Sequence, residues 1–218
     1  MRLKKEIVRV GQNLAASGLV VGTWGNISAR DAGRAGFWIT PSGMNYASLK
    51  TKDLVLIDRQ GQIMEGFRKP STEFLMHLHT YSQRPDIAAI IHTHSVYASA
   101  HAVARLAIPG IIEDMVQIIG GEVEVTPYHL PGTQELAEAV SLALAAKNAV
   151  LLANHGMVGV GQNLAEALKV CQIVEKTAQI HTCSRVLGTP VFLSNEDIAQ
   201  MRKGYLENYG QRSAGKEV

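Results

Sequence analysis

Apolar residues at positions 3, 7, 8, 10 and 14 recur at helical spacing, so the chain opens on an amphipathic helix that stops near Gly18. A glycine-punctuated stretch follows, from Gly22-Thr-Trp-Gly-Asn to a turn at Asp31-Ala-Gly. Phe37-Trp-Ile-Thr reads as a strand running into the turn Pro41-Ser-Gly. Leu54-Val-Leu-Ile-Asp and Gln62-Ile-Met, split by the polar turn Arg59-Gln-Gly, predict a hairpin. Pro70-Ser-Thr-Glu precedes a helix expected to reach about Ser82, with Ser71 or Thr72 as its N-cap. The apolar run from Ile87 to His92 predicts a buried strand, followed by a helix over 98–105. Val123-Glu-Val is expected as a strand and 133–147 as a capped helix. Ala149-Val-Leu-Leu-Ala and Met157-Val-Gly-Val predict two strands joined at Asn154-His-Gly. A long helix over 164–187 and another, capped by Asn195 and reaching about Tyr209, complete the order.

Helices and strands intermingle here without a strict βαβ rhythm, and short turns join several strands. The pattern predicts an α/β protein with a mixed sheet covered by helices, not a doubly wound parallel sheet. No linker or repeat interrupts it, so 1–218 is expected to be one domain with a frayed polar tail from Gln211.

Composition narrows the classes. Of 218 residues 46% are hydrophobic, enough for a sizeable core, yet no apolar run approaches the roughly 18 residues of a membrane span. The charged N-terminus leads into no apolar stretch of the kind a signal peptide needs. The two cysteines, Cys171 and Cys183, fall in one predicted helix, too far apart to pair, and point to a reducing, cytoplasmic home. Net charge is +2 and the basic residues are scattered doublets without interleaved aromatics, which argues against nucleic-acid binding.

His92 and His94 lie at i and i+2 at the end of an apolar strand, a spacing that puts both imidazoles on one face. His155 follows a second apolar strand. Two strand ends bearing histidine can share one divalent cation if the strands are neighbours in the sheet, an adjacency the sequence does not show. Glu73 falls in the first turn of a helix, where its carboxylate either favours the helix dipole or faces the metal and moves protons. His77, one turn further, makes Glu73/His77 a rival pair. His77, His79, His101, His129 and His181 otherwise read as structural or surface residues. Gly25-Asn-Ile-Ser, Pro41-Ser-Gly and Pro70-Ser-Thr are short loops rich in glycine and hydroxyls, able to offer donors to an oxyanion. Beside a metal they point to a small phosphorylated substrate.

Five segments, Gly22-Thr-Trp-Gly-Asn-Ile-Ser-Ala-Arg, Ile39-Thr-Pro-Ser-Gly-Met, Pro70-Ser-Thr-Glu, Ile91-His-Thr-His-Ser and Leu152-Ala-Asn-His-Gly-Met, carry a resemblance over nearly the whole chain. The protein resembles the class II (zinc-dependent) aldolase/epimerase family, on its fuculose-1-phosphate aldolase branch. The resemblance implies a three-layer α/β/α sandwich around a mostly antiparallel sheet, assembled as a homotetramer with sites at subunit interfaces. It implies Zn2+, with Mn2+ or Co2+ as alternatives, held by His92, His94 and His155. Glu73 would be a ligand at rest and a proton carrier in turnover. Asn26, Ser42, Gly43, Ser71 and Thr72 would hold the substrate phosphate.

Glutamate at 73 fits the aldolases, whereas the epimerases of the family carry aspartate. The related methylthioribulose-1-phosphate dehydratases have a longer stretch between the second and third histidines. The chain departs from the family where a tyrosine follows an Ile-Pro segment and supplies a proton to the second oxygen. Ile108-Pro-Gly-Ile-Ile-Glu-Asp-Met has none, and Glu113 or Asp114 falls there, Glu113 being the preferred substitute. Pro131 replaces a family phenylalanine, and Tyr209 matches a family tyrosine. The expected reaction is cleavage of L-fuculose 1-phosphate, or of a 5-deoxy- or 5-methylthio-ribulose 1-phosphate, to dihydroxyacetone phosphate and an aldehyde. Epimerase or dehydratase activity, metal-dependent hydrolysis and a non-catalytic metal-binding assembly domain are the alternatives.

Overall fold

The computed structural model describes residues 1–208. Helix α1 (Arg2–Ala16) buries Ile7, Val10 and Leu14, the apolar stripe of the opening segment. The strands are β1 (Asn26–Asp31), β2 (Gly36–Ile39), β3 (Val55–Asp58), β4 (Ile63–Glu65), β5 (Ala89–Thr93), β6 (Ala149–Leu152) and β7 (Gly156–Gly161). They form one sheet in the order β4-β3-β2-β1-β5-β7-β6. Every neighbouring pair is antiparallel, so the mixed sheet expected from element order is antiparallel throughout. Among the described residues parallel pairing is confined to an isolated bridge between Val125 and Leu151.

Among the described residues six further α-helices cover the sheet: α2 (Phe74–Gln83), α3 (Val96–Ala104), α4 (Glu113–Ile119), α5 (Gln134–Leu144), α6 (Leu164–Leu187) and α7 (Asn195–Asn208). Strand alternation sends Ile27, Ala29, Trp38, Leu56 and Ile91 to one face, where they meet Leu14 of α1, Ala98 of α3 and Val174 of α6. Phe37, Ile39, Ile57, Ile90 and Val158 go to the other face, against Met76 of α2 and Val140 of α5. Two separate cores on the two faces make the three α/β/α layers.

Local details correct the sequence reading. Strand β1 was hidden in the glycine-punctuated stretch because Asn26, Ser28 and Arg30, its residues toward α2, are polar. Neither Ser71 nor Thr72 caps α2; Glu73 occupies the N-cap position without capping, and Ser71 Oγ accepts from the Glu73 amide. Val123-Glu-Val makes only isolated bridges, from Val123 to Ile108 and from Val125 to Leu151. The last helix is capped by Ser194, whose Oγ accepts from the Asp197 amide at 3.1 Å, and Asn195 is its first residue. Residues 113–119 form the helix α4, too short to carry a periodic signal.

Cys171 and Cys183 are both free, Cys171 buried within α6 and Cys183 exposed on it. Among the described residues no helix is long and apolar enough to cross a membrane.

Ile91 is fully buried at the centre of the first core, one residue before His92. Ile91→Ala should therefore lower the unfolding free energy by about 2–5 kcal/mol, the usual range for such truncations, in urea titrations. A loss under about 1 kcal/mol would mean that β5 lies outside the main core.

Candidate active site

Strand pairing supplies the adjacency that the sequence left open. In the β5–β7 ladder His92 lies opposite Val158 and Thr93 opposite Met157, so the turn preceding β7 falls beside the C-terminal end of β5. That turn holds His155. Its Asn154 has φ 54°, a left-handed value that asparagine tolerates, and the Asn154 side-chain carbonyl accepts from Arg105. Gly156 follows because a Cβ there would stand 2.3 Å from the Thr93 carbonyl oxygen and 3.3 Å from His92 Cε1.

The three imidazoles converge through Nε2. His94 Nε2 is 2.8 Å and His155 Nε2 3.2 Å from His92 Nε2. Burial pushes His92 down to about 3 and His155 to about 4, and moves His94 the same way, so the rings are neutral near pH 7. His92 Nδ1 donates to the Met157 carbonyl at 2.8 Å, leaving its Nε2 a bare lone pair directed at the other two rings.

Glu73 closes the cluster, with Oε1 3.3 Å from His155 Nε2 and Oε2 3.4 Å from His92 Nε2. Its Oε1 is buried and has no hydrogen-bond partner among the described residues. Converging imidazole nitrogens beside an unsatisfied carboxylate are the donor set of a divalent cation with nitrogen and oxygen ligands. The residues fit the group.

The anion loops meet beside this cluster. An antiparallel bridge joins Pro41 to Pro70, and the Ser71 amide donates to the Thr40 carbonyl, so the two Pro-Ser loops lie side by side. A cleft of about 310 Å³ is lined by Thr23, Trp24, Gly25, Asn26, Pro41, Ser42, Gly43, Ser71, Thr72, Glu73, His94, Pro131 and His155. All five residues expected at a phosphate therefore share one cleft with Glu73 and two of the histidines. Among the described residues no lysine or arginine lines it, so the donors it offers an anion are neutral.

The other expectations fall elsewhere. His77 does not pair with Glu73 at the cluster; it is buried behind Asn26 and bonds to Asn26 and Ser28. Glu113 and Asp114 lie at the start of α4, not in an extended segment, and neither lines the cleft. Asp114 is paired with Lys176. Tyr209 lies outside the described residues.

Sequence reasoning missed Trp24, stacked on His94 with ring centroids 5.8 Å apart, and the buried pair Ser28 and Tyr81. The strict alternation Asn-Ile-Ser-Ala-Arg and the i, i+4 spacing of His77 and Tyr81 were the signals available.

Residues 5–182 match the family described as Class II Aldolase and Adducin N-terminal domain. The chain is 37% identical over 209 residues to 5-deoxy-D-ribulose 1-phosphate aldolase of Bacillus thuringiensis serovar kurstaki, covering 96% of this chain and 97% of that protein. It is 35% identical over 212 residues to L-fuculose phosphate aldolase of Escherichia coli strain K12, covering 97% of each. A solved structure of L-fuculose 1-phosphate aldolase superimposes with a TM-score of 0.91 at 38% identity, over 94% of this chain and 96% of that one. The chain belongs to the class II aldolase and adducin N-terminal domain family. Within it, the protein is an enzyme, a class II aldolase.

If the three histidines hold the cation, His92→Ala, His94→Ala and His155→Ala should each weaken metal binding by more than about a hundredfold. That is the upper range for losing a mere supporting partner of a ligand. Elemental analysis after dialysis would show it, with circular dichroism unchanged because both cores remain. Full occupancy in the His155→Ala protein would remove it from the ligand set.

Proposed function

We propose that the protein is a Zn2+-dependent aldolase cleaving a ketose 1-phosphate, with Mn2+ or Co2+ able to replace zinc. The substrate is L-fuculose 1-phosphate or a 5-deoxy- or 5-methylthio-ribulose 1-phosphate, and the products are dihydroxyacetone phosphate and an aldehyde. The observation that carries the reading is one cleft in which a Glu73 carboxylate, its Oε1 without a hydrogen-bond partner among the described residues, stands between three converging imidazoles and a set of neutral hydrogen-bond donors.

When bound, the divalent cation supplies Lewis acidity toward the ketose carbonyl and its neighbouring hydroxyl. His92, His94 and His155 hold it. Asn26, Ser42, Ser71 and Thr72, with the backbone at Gly43, bind the phosphate and so fix where the carbon chain lies. When the C3–C4 bond breaks, its electron pair passes to the dihydroxyacetone phosphate half as an enediolate, and Glu73 delivers a proton to C3. In the condensation direction Glu73 removes that proton.

The hydroxyl proton at C4 leaves in cleavage and returns in condensation. Glu113 and Tyr209 are the proposed carriers; Glu113, which does not line the cleft of its own protomer, would serve the cleft of a neighbouring subunit. A cytoplasmic homotetramer of single-domain subunits is the corresponding assembly. The exposed apolar side chains Val103, Leu187 and Val191 support burial against other copies.

A panel of ketose 1-phosphates, assayed for dihydroxyacetone phosphate by coupled reduction with NADH, tests the reading directly. Glu73→Gln should keep its metal and lose about a hundredfold or more in kcat, the scale of general acid–base catalysis. Unchanged turnover would leave Glu73 with only its place at the start of α2.

The phosphate reading makes a separate demand. Removing the phosphate from the best substrate should lower kcat/KM at least about a hundredfold, because remote binding energy is then lost from the transition state. Equal rates on sugar and sugar phosphate would empty the cleft of its anion role.

A further inference from the structure

The polar side of β1 continues behind the cleft as an unbroken chain of hydrogen bonds. Tyr81 Oη lies 2.9 Å from Ser28 Oγ, and Ser28 Oγ lies 2.6 Å from His77 Nδ1. His77 Nε2 contacts Asn26 Oδ1 at 2.5 Å, and Asn26 Nδ2 reaches Glu73 Oε2 at 2.8 Å. None of the five residues is more than 7% exposed.

Valence fixes the direction of every bond. An ionised carboxylate only accepts, so Asn26 must turn its NH2 toward Glu73 and its Oδ1 toward His77. That oxygen also only accepts, so the His77 proton sits on Nε2. Burial pushes His77 down to about 3, so the ring is neutral; its Nδ1 accepts and Ser28 donates. The Ser28 oxygen in turn accepts from the Tyr81 phenol. The Arg30 guanidinium stacks over the Tyr81 ring at 4.5 Å and donates to the Ile87 carbonyl at 2.8 Å, which anchors the outer end. With the Asn26 amide flipped, its oxygen would face the Glu73 carboxylate and its NH2 would face the His77 donor, two repulsions at once.

We propose that His77, held as the Nε2–H tautomer by Ser28 and Tyr81, is a positioning residue that locks the Asn26 amide with its NH2 facing Glu73 and the cleft. One Asn26 N–H then holds the Glu73 carboxylate in place, and the second remains for the substrate anion. The effect on turnover rests on the aldolase reading above; the tautomer and the amide orientation do not.

The test is a double-mutant cycle. His77→Phe fills the space without hydrogen bonding, whereas His77→Gln keeps a donor for Asn26 and an acceptor for Ser28. His77→Phe should retain wild-type metal content and lose about ten- to a hundredfold in kcat/KM, through kcat as well as KM, the scale of a hydrogen bond to a charged group. His77→Gln should recover most of that loss. In an Asn26→Ala background, His77→Phe should have less than about a twofold further effect, since its action passes through Asn26. Wild-type kinetics in His77→Phe, or losses that multiply in the double mutant, would overturn the proposal. Should His77→Phe fail to fold, Ser28→Ala and Tyr81→Phe enter the same cycle with the same expectations.

Nitrogen-15 spectra of histidine-labelled wild-type protein give an arm independent of activity. They should show His77 neutral, with its proton on Nε2, and an Nδ1–H tautomer or an imidazolium would end the idea. If no ketose phosphate is cleaved by the wild type, the aldolase reading falls and the spectrum alone decides the lock.

Discussion

The constraint on which everything else rests is the antiparallel register of β5 and β7, one strand in from the β6 edge of the sheet. It sets Thr93 opposite Met157, and thereby brings the end of one buried strand and the tight turn before another to a single point. Backbone hydrogen bonds within a packed sheet hold that register far more rigidly than a loop could. Three imidazoles are therefore brought to near contact without any one of them being free to withdraw. Such a cluster of neutral nitrogens and a carboxylate is poorly satisfied by itself and well satisfied by a cation. The glycines at 25 and 156 belong to the same constraint, because a Cβ at either would strike the backbone carbonyl of His92 or Thr93.

A second consequence follows on the face toward α2. Most of that face is apolar, from Phe37 and Ile39 through Val158 and Val160, and packs in the ordinary way. Its β1 positions carry Asn26, Ser28 and Arg30, and burying them would be costly without partners. Each partner is present: Glu73, His77, Tyr81 and the carbonyls at the end of α2. A buried chain of side chains hydrogen-bonded one to the next is rigid, and its rigidity is transmitted to the Glu73 carboxylate that borders the histidines. Glu73 gives up the helix-capping role that its place at the start of α2 offers, and turns inward.

The cleft combines two kinds of recognition. One wall is the histidine cluster, where charge would be concentrated on a cation. The other consists of hydroxyls, an amide and glycine backbone brought together by the Pro41–Pro70 bridge, all of them neutral. Neutral donors orient an anion without the long, mobile side chains that lysine or arginine would require. Trp24, stacked against His94, adds an apolar edge to the cleft.

Much was legible in the sequence because period and spacing are local. Helical repeats, the paired histidines at i and i+2 and the hydroxyl-glycine loops each depend on a few consecutive residues. They sufficed for the class of fold and put forward the three histidines and Glu73 as candidates for a cation; the family resemblance named the five cleft residues, and the structure places all of them about one cleft. What consecutive residues could not specify was decided by pairing across the sheet. The adjacency of β5 and β7, separated by some sixty residues, turned three histidines into one cluster. Strand β1 escaped notice because its inward residues serve a polar network, and hydrophobic alternation marks only strands buried in apolar surroundings. His77 looked like a rival ligand or a surface residue for the same reason. Whether a histidine reaches a metal, a helix end or a neighbouring amide depends on which side chains the tertiary fold places within three ångströms of its ring, and no local pattern carries that information.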